Sequence, residues 1–172
     1  MKSAIIRVKE AHSRHVTPAF DGLRDVVIAG LGPQSISLAR QLLTHDWQVK
    51  LLCLSPAEME ELEAPDLDIV YLPELTVAAL REIGMERADA VVAMLSDEEN
   101  YRFCEMVYEH FGTETMVAHL RDRANYEKFQ KLGVLVVEPR TAVVSLLEHF
   151  VRAPGRRLLV IGYARDTRYR RH

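Results

Sequence analysis

The residues of this sequence that are best suited to chemistry form a short glycine-containing turn, Gly30-Leu31-Gly32-Pro33-Gln34-Ser35. Turns of this kind bind phosphate. The first glycine permits a tight turn, the second lets the main chain approach an anion, and the next helix offers free N–H groups and the positive end of its dipole. Ser35 replaces the third glycine of the usual Gly-x-Gly-x-x-Gly pattern. Because that position mainly governs helix packing, a small serine is compatible with phosphate binding.

The second requirement of a dinucleotide site is an acid for the ribose, about 20 residues later at the end of the second strand. That strand ends here with Cys53, Leu54 and Ser55, and the next acid is Glu58. Ser55 offers one hydroxyl, whereas Cys53 is a poor hydrogen-bond acceptor. The residues alone leave two alternatives open, a nucleotide site with a weakened ribose contact and a cleft without a ligand.

Two secondary-structure elements must position this turn. Residues 26–29 form a continuous apolar run, which is typical of a strand buried on both faces of a parallel sheet. After the turn, the apolar side chains of Ile36, Ala39, Leu42 and Leu43 share one face of a helix. The sequence therefore predicts a strand, a phosphate-binding turn and a helix, the first half of a βαβ nucleotide-binding unit.

The same alternation of strand and helix continues along the chain. Strands are predicted over 26–29, 48–54, 67–72, 88–95, 115–120 and 134–137, with helices between them and a last helix over 141–151. This pattern predicts an α/β fold, a Rossmann-like doubly wound parallel sheet with strand order 3-2-1-4-5-6 in three α/β/α layers. We expect a ligand at the carboxyl ends of the strands, between the first and the fourth.

Local signals refine the two helices in the second half of this pattern. Ser96 followed by Glu99 predicts a capping box at a helix start. The spacing of apolar residues over 122–132 predicts a helix with Tyr126, Phe129 and Leu132 on its inner face.

Composition excludes several classes of protein. The chain has 172 residues, of which 48% are hydrophobic, and its net charge of −3 argues against a nucleic-acid binder. No apolar run reaches the ~18 residues of a membrane span, and the segment MKSAIIRVKE lacks the apolar core of a signal peptide. The two cysteines are far apart, and the histidines have no metal-binding spacing. We therefore expect a cytosolic domain without disulfides or a metal site.

The chain divides into three predicted segments. Residues 1–23 are an arm or linker with a short strand near 4–8, and residues 24–152 are the α/β domain. Residues 153–172 are a basic extension with one short strand near 158–163. From position 152 onward the chain has seven arginines against one acid. This extension is interpreted either as a solvated tail or as a contact for acidic lipid or a partner.

Three blocks of sequence carry a resemblance to a known family: DVVIAGLGPQSISLARQL, LREIGMERADAVVAMLSDEENYRFCEMV and AHLRDRANYEKFQKLGVLVVEP. The middle block is the most distinctive, with its hydrophobic-Gly turn, Ala-Asp-Ala-Val-Val strand and Ser-Asp-Glu-Glu-Asn helix start. Together they resemble the TrkA-N domain, also called the RCK or KTN domain. This family comprises cytosolic regulatory domains of potassium channels, potassium-uptake systems and cation/proton antiporters.

The resemblance implies a set of ligand-binding residues. The turn from Gly30 to Ser35 would hold phosphates. Other positions match the family's sugar and adenine contacts or the rim of its pocket: Cys53, Leu54, Ser55, Leu72, Pro73, Leu95, Ser96, Asn100 and Arg121. Cys53 stands where the family has its ribose-binding Asp, and Leu72-Pro73 stands near a Gly-Asp-Ala-Thr run of the family. From the residue type alone, Arg121 is equally compatible with a surface ion pair.

The resemblance also implies a function without catalysis. The chain would sense NAD(H) or an adenine nucleotide (AMP, ADP or ATP) and act through a homodimer or higher ring. Its partner would be a membrane-embedded cation channel or transporter subunit at the inner face of the cell membrane. The last helix carries the apolar residues Val144, Leu147, Phe150 and Val151, which either cover the sheet or form a dimer interface, as the resemblance implies. A ligand-free assembly module and an NAD-dependent oxidoreductase are the alternatives.

Overall fold

The computed structural model describes residues 6–7, 24–61 and 64–152. The strand predicted near 158–163 and most of the predicted N-terminal arm lie outside the described residues, as does the side chain of Phe150. The predicted three-segment division stays a prediction. The chain forms two compact units, Met1–Pro139 and Arg140–His172.

Seven strands and six α-helices make up the described part of the chain. The strands are β1 (Ile6–Arg7), β2 (Arg24–Ala29), β3 (Trp47–Cys53), β4 (Asp68–Tyr71), β5 (Ala90–Ala93), β6 (Thr115–His119) and β7 (Leu135–Val137). The helices are α1 (Pro33–Leu43), α2 (Pro56–Glu61), α3 (Val77–Glu82), α4 (Asp97–His110), α5 (Tyr126–Lys131) and α6 (Pro139–Arg152). Short 3₁₀ turns at Met85–Arg87 and Arg123–Asn125 precede β5 and α5.

The strands form one sheet with the order β1-β4-β3-β2-β5-β6-β7. The strands from β2 to β7 are parallel, and β1 pairs antiparallel with β4 at the edge. Counted along the chain, the parallel strands follow the order 3-2-1-4-5-6, so the prediction is confirmed. β2 is central, since Ile28 lies between Leu51 of β3 and Val92 of β5.

Successive side chains of β2 point to opposite faces of the sheet, so they contribute to two separate parts of the core. Val27 and Ala29 join one cluster of buried residues, which includes Leu80 and Phe103. Val26 and Ile28 point the opposite way and join a second cluster with Ile36 and Leu51. This strand is apolar at every position from 26 to 29 because helices cover both of its faces.

The predicted capping box of α4 is confirmed, whereas the helix predicted over 122–132 is shorter. The Ser96 hydroxyl accepts a hydrogen bond from Glu99 N, and the Glu99 carboxylate accepts one from Ser96 N. The first turn of the predicted helix is 3₁₀, so α5 begins only at Tyr126. Tyr126 lies at that first helical position and is 44% exposed, so its predicted inward orientation is wrong.

The second unit contains almost all of α6. Five apolar side chains of this helix are exposed: Val143, Val144, Leu146, Leu147 and Val151. The exposed fraction of Val151 is 79%. Among the described helices, none is both long and apolar enough to cross a bilayer.

Candidate functional site

The glycine turn begins where β2 meets the end of β5. Gly30 has φ +111°, a conformation that residues with a side chain rarely adopt, and its N–H donates to Leu52 O at 2.9 Å. A Cβ on Gly30 would lie 2.6 Å from Met94 O. Gly30 therefore lets two neighbouring strand ends come together without a side chain between them.

Gly32 meets a different requirement. Its backbone is extended, with φ −178°, and a Cβ there would have no atom within 4 Å. The fold therefore does not require glycine at this position, and the open space lies where an anion would approach the turn. This arrangement agrees with the predicted role of the second glycine.

Ser35 takes the position of the third glycine and closes the turn. Its hydroxyl accepts a hydrogen bond from Gly32 N at 2.9 Å and donates one to Gly32 O at 2.9 Å. The side chain is only 2% exposed, so the small residue fits beneath the turn as expected. One amide of the predicted phosphate cradle is therefore satisfied by the protein itself.

Other amides of the cradle remain available. Among the described residues, the N–H groups of Leu31, Gln34 and Ser35 have no hydrogen-bond acceptor, and Pro33 has no N–H. The first intrahelical bond of α1 runs from Ile36 N to Gly32 O at 3.0 Å. Free donors in the turn and in the first turn of an 11-residue helix are chemically suited to an anion.

The turn forms one wall of a cavity of about 600 Å³, called the cleft below. Its lining residues are Gly30, Leu31, Gly32, Pro33, Gln34, Ser35, Glu58, Met94, Leu95, Ser96, Glu99, His119 and Arg121. The cleft lies at the carboxyl ends of β2, β5 and β6, at the predicted point of strand-order reversal. Its volume falls within the range of small-molecule sites. A cavity of about 90 Å³ near Asp25 and Lys50, at the opposite ends of the strands, is too small for a nucleotide.

Arg121 lies at the cleft because Asp97 holds the loop after β6. The Asp97 carboxylate accepts hydrogen bonds from Arg121 N and Asp122 N, both at 2.9 Å, and from Asn125 Nδ2 at 3.2 Å. Burial raises the pKa of Asp97, but these hydrogen bonds and the Arg121 charge outweigh it, so the pKa is below its ordinary value. The ionised Asp97 thus fixes the loop that carries the cationic side chain.

Asn100 is placed behind the cleft instead of at its rim. It is fully buried, and its Oδ1 accepts a hydrogen bond from Leu95 N at 2.8 Å. Its Nδ2 donates to His119 O at 2.8 Å and to Leu95 O at 3.2 Å. Because its carbonyl oxygen and both amide hydrogens are used within the protein, Asn100 joins the ends of β5 and β6.

The predicted adenosine-side residues do not line the cleft. They are Cys53, Leu54, Ser55, Leu72 and Pro73. Cys53 and Leu72 are both 0% exposed, and the Cys53 thiol donates to Ser55 O at 2.9 Å. Burial is the main cause of the raised pKa of this thiol. Cys53 is therefore a neutral core side chain at the position where a ribose acid is expected.

Sequence reasoning missed four lining residues, Glu58, Met94, Glu99 and His119. Met94 and His119 lie within the last two residues of the strands predicted over 88–95 and 115–120, so the rule that ligands lie at carboxyl ends could have found them. Glu99 had been assigned only to the helix cap. Glu58 follows the end of β3 by five residues, and only the fold of α2 brings it to the cleft. Within the described part of the chain, no cluster of three or more His, Cys, Asp or Glu residues could hold a metal.

Comparison with known sequences identifies relatives in potassium transport. The model of the TrkA-N domain matches residues 26–139. The Trk system potassium uptake protein TrkA of Haemophilus influenzae is 31% identical over 139 residues, which cover 76% of this chain and 30% of that protein. The glutathione-regulated potassium-efflux system protein KefC of Escherichia fergusonii is 27% identical over 117 residues, 67% of this chain and 19% of KefC. The chain thus spans less than a third of these relatives.

Solved structures show the same fold. GsuK bound to ADP superposes with a TM-score of 0.63 at 21% identity, over 76% of this chain and 35% of that chain. The GsuK channel bound to NAD gives a TM-score of 0.60 at 23% identity, over 72% of this chain and 23% of that chain.

Proposed function

The chain belongs to the TrkA-N domain family, and from this membership we propose that it is a nucleotide-sensing regulatory domain of a cation channel, transporter or antiporter. The ion is potassium or another cation, and the names of the potassium uptake and efflux relatives support potassium. The domain acts without catalysis. It lies in the cytoplasm, at the inner face of the cell membrane, beside a membrane-embedded partner.

The observation that supports this proposal is a group of unpartnered main-chain N–H donors on one wall of the cleft. The free N–H groups of Leu31, Gln34 and Ser35, the start of α1 and the Arg121 side chain all favour a negatively charged group there. The cleft, of about 600 Å³, can accommodate more than a phosphate ion. Donors suited to a phosphate at one end of the cleft, with additional volume beside them, support a nucleotide as the ligand.

The proposed ligand is NAD(H) or an adenine mononucleotide, AMP, ADP or ATP. Structural neighbours of the same fold have been solved with ADP and with NAD, which supports both members of this group. Cys53 replaces the strand-terminal acid that would hold a ribose, so the ribose grip of a dinucleotide site is missing at that position.

The proposed mechanism is a ligand-biased equilibrium between two arrangements of a homodimer or higher ring. A nucleotide shifts such an equilibrium only by the difference between its affinities for the two states. The exposed apolar side chains of α6 support a homodimer, because large exposed apolar patches commonly mark interfaces. The change in the angle between the paired domains would then be transmitted to the membrane partner.

A ligand-free assembly module of the same family is the second candidate. Two observations favour it: the neutral Cys53 at the end of β3 and the internal hydrogen bond that occupies Gly32 N. In this case α6 would still mediate assembly, and the cleft would remain empty.

Thermal unfolding with NAD, NADH, AMP, ADP and ATP distinguishes the two candidates. A ligand at 100 times its dissociation constant stabilises the folded state by about 2.7 kcal/mol. We expect at least one nucleotide to raise the melting temperature. If none does, nucleotide sensing is contradicted and the assembly module is favoured.

Gly32→Asp tests the location of the site. Asp is a favourable N-cap and a Cβ at Gly32 meets no atom within 4 Å, so the fold should be retained. Its carboxylate would face the bound phosphate, so the nucleotide-induced shift in melting temperature should disappear. Ser37→Asp, which places the same charge on an exposed position of α1, is the matched control and should keep the shift. Survival of the shift in Gly32→Asp would place the site elsewhere.

A further inference from the structure

The end of β3 lacks an acid, yet the carboxylate of Glu58 lies close to it. α2 begins at Pro56, immediately after the strand, and its first turn brings Glu58 back over the strand end. Glu58 Oε2 is 3.9 Å from the buried Cys53 Sγ, which marks the position of the expected ribose acid. The short helix therefore restores a negative charge at a place where the strand has none.

The Glu58 side chain is also available to a ligand. It lines the same cleft as the glycine turn and is exposed. Among the residues that the structure describes, no Lys, Arg or His nitrogen lies within 4 Å of its carboxylate. By contrast Glu99, the other acid of the cleft, accepts hydrogen bonds from the Ser96 hydroxyl at 2.6 Å and from Ser96 N at 3.1 Å. Glu58 Oε2 takes only the long contact with the Cys53 thiol, at 3.9 Å, so of the two described acids of the cleft Glu58 has the more available acceptor oxygens.

From this geometry we infer that Glu58 binds the 2′- and 3′-hydroxyls of the nucleotide's ribose. A carboxylate offers two acceptor oxygens, which match the two hydroxyl donors of a ribose diol. The ligand class is therefore a nucleotide with an unmodified 2′-hydroxyl, and a 2′-phosphate would be repelled by the negative charge. The inference rests on the proposed nucleotide-sensing function and adds the residue that selects the sugar.

Calorimetric titration of the full chain with ADP and 2′-deoxy-ADP tests this assignment. The wild-type chain should bind ADP roughly tenfold or more tightly than 2′-deoxy-ADP, since a hydrogen bond to a charged group is lost. Glu58→Gln should weaken ADP binding by about tenfold and bring the ratio of the two affinities close to one. Glu60→Gln removes the same charge from an exposed position of α2 that does not line the cleft, so it should behave as the wild type.

The possible results separate the failure of this inference from the failure of the proposed function. If the wild-type chain binds both nucleotides equally, or if Glu58→Gln keeps the wild-type ratio, Glu58 is not the ribose ligand, although nucleotide sensing stands. If the wild-type chain binds none of NAD, NADH, AMP, ADP and ATP, both proposals are overturned. Thermal melts of the variants without ligand should match the wild type, because the substituted side chains are exposed.

Discussion

Two glycines of one turn have opposite roles in this protein. Gly30 is required by the fold, because its φ is +111° and the place of a Cβ is taken by Met94 O at 2.6 Å. Gly32 is extended and faces open space, so the fold does not require a glycine there, and under the proposed function its missing side chain leaves room for a ligand. The same residue type in the same motif is thus required by the fold at one position and assigned to the proposed ligand site at the other.

Alanine at each glycine should separate these roles. Gly30→Ala should lower the free energy of unfolding by about 2 kcal/mol or more, since it combines a disfavoured φ with a steric clash against main chain. Gly32→Ala should change it by less than about 0.5 kcal/mol, as expected for a substitution without new contacts. Urea unfolding of both variants provides the measurement. Equal destabilisation would show that the turn differs from the one described.

At the scale of secondary-structure elements, the cleft depends on ties between strand ends and helices. Asn100 of α4 joins the carboxyl ends of β5 and β6 through three hydrogen bonds. Asp97, in the first turn of the same helix, holds the loop that begins at Arg121. α4 therefore positions two walls of the cleft, and its cap residues Ser96 and Glu99 line the cavity directly.

Asp97→Asn should weaken one of these ties in a pH-dependent way. The folded-state pKa of Asp97 is below its ordinary value, so its stabilising contribution is present at neutral pH and is lost as the pH falls through the folded-state pKa. The variant should be less stable than wild type by about 1 kcal/mol at pH 7, and the difference should shrink towards pH 3. Urea unfolding across this pH range measures both effects.

Glu98→Gln is the control for that experiment. Glu98 is an exposed acid in the same first turn of α4, and its only expected contribution is to the helix dipole. Its substitution should cost no more than about 0.5 kcal/mol. A difference between Asp97→Asn and wild type that does not change with pH would contradict the assigned role of the ionised carboxylate.

At the scale of the whole molecule, α6 is the feature that points to assembly. Val144, Leu147 and Val151 follow helical spacing, and they are 63%, 60% and 79% exposed. The helix also carries Val143 and Leu146 as exposed apolar residues. Such a surface is unfavourable in water unless a partner covers it.

Leu147→Glu should dissociate the proposed homodimer. A charged side chain at the centre of an apolar interface loses its hydration without gaining a partner, so association should weaken by tenfold or more. Sedimentation velocity over a concentration series measures the change. Ser145→Glu, which lies on the same helix away from the apolar stripe, should retain the dimer. A wild-type chain that stays monomeric at about 100 μM would contradict the dimer proposal.

The sequence by itself determined the fold because the relevant signals are local. Apolar runs identify buried parallel strands, and glycine and capping residues mark the ends between strands and helices, so six strands and their order could be predicted. It also determined the glycine turn and the missing acid at Cys53. The inward orientation predicted for Tyr126 is wrong: this residue is the first of α5, and its side chain is 44% exposed, whereas Phe129 is buried.

Only the tertiary structure decided which side chains reach the cleft. Asn100 was predicted at the rim of the pocket. Its hydrogen bonds to two different strand ends instead hold its side chain in the interior of the protein. Glu58 follows the strand by five residues, and the return of α2 over the end of β3 brings its carboxylate to the cavity. Residue type and spacing fix the course of the backbone, whereas the contents of a site depend on contacts between segments that are distant in sequence.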